Sequence, residues 1–102
     1  MTLLAVVLVF LHGTVTIGPT SPVCSATTPC TKPAAHVLLR FVRPGRKTLT
    51  IRTDGAGRYH VRLAPGTWTV RTVARTRVQH PRFWVARHPR VHRNFFVDTG
   101  IR

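Results

Sequence analysis

The sequence predicts an all-β fold, an antiparallel sandwich of about seven strands, for three reasons. Apolar residues recur at every second position in run after run, which is the period of a half-buried strand. Pro and Gly bound these runs at intervals of roughly 8–12 residues, the rhythm of an all-β domain. The longest alternating stretch, Thr53–Val70, is rich in β-branched residues and interrupted by Gly55, Gly57, Pro65 and Gly66, all of which disfavour helix.

Met1–Leu11 holds an apolar run, Leu3–Leu11, with the length of a signal-peptide h-region. It is too short for a helical membrane span, which takes ~20 apolar residues. No Lys or Arg precedes it, and no small-x-small cleavage site follows. Three readings stay open: an atypical secretion signal over residues 1–11 with the domain over 12–102, a first strand extended by apolar residues, or a misplaced start. Thr14–Ile17 alternates as a first strand. Gly18–Pro33 contains four prolines and reads as a loop. Cys24 and Cys30 are the only cysteines and lie in it. An even pair in a small secreted chain reads as a disulfide, and so short a ring contributes about 2 kcal/mol. A metal or redox reading needs C-x-x-C spacing, which is absent.

Ala35–Val42 places Val37, Leu39 and Phe41 on one face. Pro44-Gly45 turns the chain into Arg46–Thr53, with Leu49 and Ile51 inward. Asp54-Gly55-Ala56-Gly57 is a turn in which Asp hydrogen-bonds its own backbone. Arg58–Leu63 then sets Tyr59, Val61 and Leu63 against Arg58, His60 and Arg62. Pro65-Gly66 makes a second turn, and Thr67–Thr72 puts Trp68 and Val70 inward. Two alternating runs joined by so short a turn read as a β-hairpin. Phe83-Trp84-Val85 is a short apolar strand between Pro81 and Pro89, and Val91–Val97 is the last strand, with Phe95 and Val97 on one face.

The pattern Thr53-Asp54, Gly57-Arg58-Tyr59, Leu63, Pro65-Gly66, Trp68 and Val70 resembles the carboxypeptidase regulatory-like domain family. There the motif runs T-D-x-x-G-x-Y, then L-x-P-G-x-Y-x-V, so Trp68 stands in place of the usual Tyr. Gly18-Pro19, Cys24, Cys30, Lys32-Pro33 and the ending Asp98–Arg102 look like the small secreted members of that family. The resemblance implies a prealbumin-like sandwich and a secreted or cell-surface location. It implies no catalysis, because the zinc-peptidase motif of the large carboxypeptidases is absent, and a fold of this kind hosts many roles.

A chain of 102 residues makes one small domain. At that size roughly 60–65% of the unfolded surface is buried. Lys plus Arg number 16 against 2 acidic residues, for a net charge of +14. Such a chain attracts polyanions: nucleic acid, anionic lipid or acidic cell-wall polymer. Secretion would argue against nucleic acid. An ordinary explanation competes, since outward faces need polar residues and GC-rich coding favours Arg over Lys.

Nothing in the sequence points to an enzyme. Asp54 and Asp98 are the only acids, Ser21 and Ser25 the only serines, and no motif calls for a cofactor. His88 and His92 flank Pro89, and on a strand two such residues stand ~13 Å apart, too far for one ion, so no metal site is expected. The arginines are the strongest lead. Arg40, Arg52, Arg58, Arg62 and Arg71 fall on the outward faces of successive strands, and would form one basic face if those strands pair. Arg52, Arg62 and Arg71 are the expected anion contacts, with Phe83 and Trp84 as aromatics that would stack on sugar rings or bases; the competing reading places both rings in the core. The expected function is a non-catalytic module for cell-surface carbohydrate or another anionic polymer. The alternative is a purely structural or protein-interaction module.

Overall fold

The computed structural model describes residues 8–18, 31–72 and 76–99. These residues form an all-β sandwich of two sheets. The strands are β1 (Val9–Gly18), β2 (Lys32–Pro33), β3 (Leu38–Val42), β4 (Leu49–Arg52) and β5 (Arg58–Leu63), then β6 (Gly66–Thr72), β7 (Arg77–Val78), β8 (Arg82–Val85), β9 (Arg90–His92) and β10 (Phe95–Asp98). One sheet is wholly antiparallel, in the order β4-β3-β6-β8. The other is mixed and built around β1. The first half of β1 pairs with β5 and β9, the second half with β2 and β10, and β7 adds to β10. The β9 and β10 pairings are parallel, a relation that alternation cannot reveal, since strands of either direction alternate alike.

The N-terminal apolar run enters this core. Val9, Leu11 and Val15 are fully buried inward residues of β1. A boundary between residues 11 and 12 therefore falls inside β1, and the domain includes Val9–Leu11. Cys24, Cys30 and their expected disulfide lie outside the described residues.

The inner faces meet in a core of Leu11, Leu39, Phe41, Leu63, Trp68, Val70, Phe83, Val85, Phe95 and Val97 with smaller neighbours. At its centre Phe41 touches Tyr59, Phe83 and Phe95 with ring centroids 6.1–6.3 Å apart. The expected alternation of β5 holds at every position.

The β5–β6 hairpin does not form. β5 pairs with β1, whereas β6 pairs with β3 and β8, so Pro65-Gly66 carries the chain from one sheet to the other. The inward residues of β5 and β6 face each other across the core instead of lying side by side. The crossing is held by the Trp68 indole N–H, which donates to the Ala64 carbonyl at 2.8 Å, and by Arg43 Nη1, which donates to the Pro65 carbonyl at 2.8 Å.

The T-D-x-x-G-x-Y stretch is a knot of such contacts. Thr53 is buried; its hydroxyl donates to the Ala34 carbonyl and accepts the Val37 amide. Asp54 Oδ1 accepts the amides of Ala56 and Arg58, closing the turn as its residue type suggests. At Gly57, φ is 77° and a Cβ would lie 2.6 Å from the Val15 carbonyl oxygen, so β1 passes against bare backbone. The Tyr59 hydroxyl donates to the Arg93 carbonyl where β9 gives way to β10. Each motif residue thus has a folding role.

Candidate anion-binding face

The outer face of the four-stranded sheet collects positive charge because its strands alternate with an apolar inside. Leu39 and Phe41 point inward on β3, so Arg40 points out, and the same parity exposes Arg52 on β4, Arg71 on β6 and Arg82 with Trp84 on β8. Cross-strand register fixes their neighbours. Arg40 lies opposite Arg71, Leu38 opposite Arg52, Thr69 opposite Arg82 and Thr67 opposite Trp84. The result is a diagonal stripe: Trp84 and Arg82, then Arg71, Arg40 and Arg52. With strands ~4.8 Å apart and same-face neighbours ~6.7 Å apart, it runs roughly 25 Å.

Two features set this stripe apart from an ordinary polar surface. Like charges directly opposite on adjacent strands repel, and Arg40 and Arg71 stand that way. None of the four strands carries an acid to relieve them. At the Trp84 end the surface dips into an open hollow of about 800 Å³, whose lining includes Thr67, Thr69, Arg71, Arg82 and Trp84. Trp84 is 67% exposed, an unusual state for so large an apolar ring. Arg43 also reaches the hollow, but its guanidinium lies 5.7 Å from the Trp68 ring centre and bonds Pro65, so it is a structural group.

The expected contacts divide. Arg52 and Arg71 are both in the stripe. Arg62 is on β5, in the opposite sheet, and cannot share a ligand face with them. Phe83 is also relocated: it is buried against Phe41, Phe95 and the Arg93 guanidinium, because β8 alternates and only one of two adjacent aromatics faces out. Trp84 is the aromatic the surface offers. Arg40 and Arg82 join the stripe; the outward parity of Arg40 was readable, but that of Arg82, and the registration of either with Arg71, was not.

The acids have structural work. Asp54 Oδ2 pairs with Arg58 Nε at 3.0 Å, and the amide bonds of Arg58, helped by that of Ala56, hold its carboxyl below the usual carboxylate range. Asp98 lies on β10 in the other sheet, where its backbone is in register with Gly18 of β1 and Arg77 of β7. Burial of Tyr59 pushes its phenol well above its usual range, offset in part by Arg93. No helix among the described residues is long and apolar enough to cross a membrane.

Fold and site together describe a β-sandwich with a basic outer face and one exposed tryptophan. Compared with known proteins, the chain matches no family model, no curated protein and no solved structure.

Proposed function

We propose that this protein is a non-catalytic module that binds an extended anionic polymer along the Arg52–Arg40–Arg71–Arg82 stripe, with an acidic carbohydrate as the preferred class. The observation that carries the reading is the registered Arg40–Arg71 pair, on a sheet face with no acid among its strands. An anionic group bridging the two guanidiniums relieves their repulsion and matches their fork geometry. Trp84 supplies a flat apolar surface beside Arg82, suited to a sugar ring, which is why a carbohydrate backbone fits better than a bare polyphosphate. The resemblance of Thr53–Val70 to the carboxypeptidase regulatory-like family supports the non-catalytic part. The cysteine pair supports an extracellular setting, in which a cell-surface glycan is the accessible polymer.

The test is binding of the full chain to an acidic polysaccharide, a neutral polysaccharide of similar length and a polyphosphate, read by intrinsic tryptophan fluorescence and by direct titration. The reading predicts tightest binding to the acidic polysaccharide, with a change in Trp84 emission that disappears in Trp84→Phe. Equal, weak retention of all three polymers would leave a module whose basicity has no specific ligand.

A further inference from the structure

The second sheet carries a constellation that residue spacing conceals. His12, His60 and His92 are far apart in sequence, yet the register sets His12 opposite His60 on one side and opposite His92 on the other. Their immediate neighbours Leu11, Tyr59 and Val61 are buried, so alternation turns His12 and His60 outward; His92 is likewise exposed. Three imidazoles therefore form a row across β5, β1 and β9. All three line one open hollow of about 580 Å³. The His12 and His92 rings are 5.2 Å apart, tilted by 57°, and Phe10 stacks on His12 at 5.5 Å and on His60 at 5.8 Å, holding the row from one side.

This spacing has a chemical meaning. Two imidazoles that each give one nitrogen to a tetrahedral ion, at about 2.0–2.1 Å, have ring centres roughly 5 Å apart. The His12–His92 pair already stands at that separation. No group of three His, Cys, Asp or Glu residues among the described residues is gathered closely enough to hold a metal as it stands. His60 lies one strand spacing, ~4.8 Å, from His12, within reach of a side-chain rotation. We propose that His12 and His92 chelate a divalent transition ion of the zinc, nickel or copper class, and that His60 swings in as a third ligand.

The surroundings select the ion class. Imidazole suits zinc, copper and nickel, whereas calcium and magnesium need several oxygen ligands. The one carboxylate in the hollow, Asp54, has both oxygens committed to Arg58 and the Ala56 amide. Arg58, Arg62 and Arg90 flank the row, and the Arg90 guanidinium rests 5.3 Å from the Phe10 ring centre. Their charge opposes any cation held by electrostatics alone, so only an ion bound through nitrogen donors is retained, and an anion is favoured at its open positions. This site is on the opposite sheet from the arginine stripe and stands or falls independently of it.

The experiment titrates the full chain with ZnCl2, and separately NiCl2, at a pH where imidazole is neutral, following heat of binding and thermal midpoint. The expected result is one ion per chain, a raised midpoint, and reversal by a chelator. Losing even an outer-shell partner weakens a metal site roughly 10–100-fold, so His92→Ala, at an exposed position, should weaken binding at least that much. His12→Gln should do the same, and His60→Ala should weaken it less. His36→Ala and His88→Ala should change nothing. One-to-one uptake that survives His92→Ala, or no uptake at all, would overturn the site. Unchanged affinity in His60→Ala would overturn its place as third ligand.

Discussion

The two tryptophans make opposite predictions, and the contrast tests the sandwich and its outer face together. Trp68 is 3% exposed, and its indole N–H is bonded to the Ala64 carbonyl at the crossing between sheets. Trp68→Ala removes a large core side chain, which costs roughly 3–5 kcal/mol, and leaves that carbonyl without its donor, adding about 1 kcal/mol. A chain of 102 residues has roughly 5–15 kcal/mol of stability in all, so the variant is close to unfolding at 25 °C. At ~4–8 °C per kcal/mol, its thermal midpoint should fall by roughly 15 °C or more. Trp84 projects from the edge strand β8, and Trp84→Ala should shift stability by no more than ~0.5 kcal/mol. Thermal and urea denaturation followed by far-ultraviolet circular dichroism measure both. Iodide should quench Trp84 in the Trp68→Phe variant and leave Trp68 largely unquenched in Trp84→Phe. Equal midpoints for the two alanine variants, or equal quenching, would refute the assignment of one ring to the core and the other to the surface.

Two further outcomes follow from particular contacts and a third from the cysteine pair in the sequence. A Cβ on Gly13 would lie 2.0 Å from the Arg93 carbonyl oxygen, so Gly13→Ala should destabilise by about 1–3 kcal/mol or more, read as a lower urea midpoint. Tyr59 is the only tyrosine, and burial raises its phenol above the ordinary value of 10.0. The unfolded chain therefore loses this proton first, so stability is full below about pH 10 and declines as pH rises beyond it; phenolate absorbance should appear together with unfolding, not before it. Alkylation without reductant should leave both Cys24 and Cys30 unlabelled by intact mass in protein recovered from an oxidising compartment, and two labelled thiols would remove the disulfide.

Much of the fold was legible because parity survives any topology. Tyr59, Val61, Leu63, Trp68 and Val70 face inward whether β5 and β6 pair as a hairpin or cross between sheets, so their burial could be read while their pairing could not. The same limit split the arginines. Arg62 and Arg71 share outward parity but sit on opposite sides of the sandwich, because Pro65-Gly66 spans the core. Parity also settles Phe83 against Trp84 once β8 is known to alternate, although an uninterrupted apolar triplet gives no cue to its phase. The histidine row was invisible for a different reason. His12, His60 and His92 meet through one antiparallel and one parallel pairing of β1, and long-range register leaves no mark in local sequence. Val9 and Leu11 show how nine apolar residues suit a leader or a core strand equally until their partners are known.

The most direct test of the arginine stripe is the salt dependence of binding to an acidic polysaccharide, compared between variants of the two sheets. Each neutralised charge releases counterions and steepens the fall of log affinity with log salt by roughly 0.7–0.9 on polymers as charged as nucleic acid. Replacing Arg40, Arg71 and Arg82 together by Gln should therefore flatten the slope by roughly 2–3 and weaken binding, while Arg58→Gln with Arg62→Gln on the opposite sheet should leave the slope nearly unchanged. A slope that depends only on how many arginines are removed, and not on which sheet they leave, would contradict a dedicated anion-binding face.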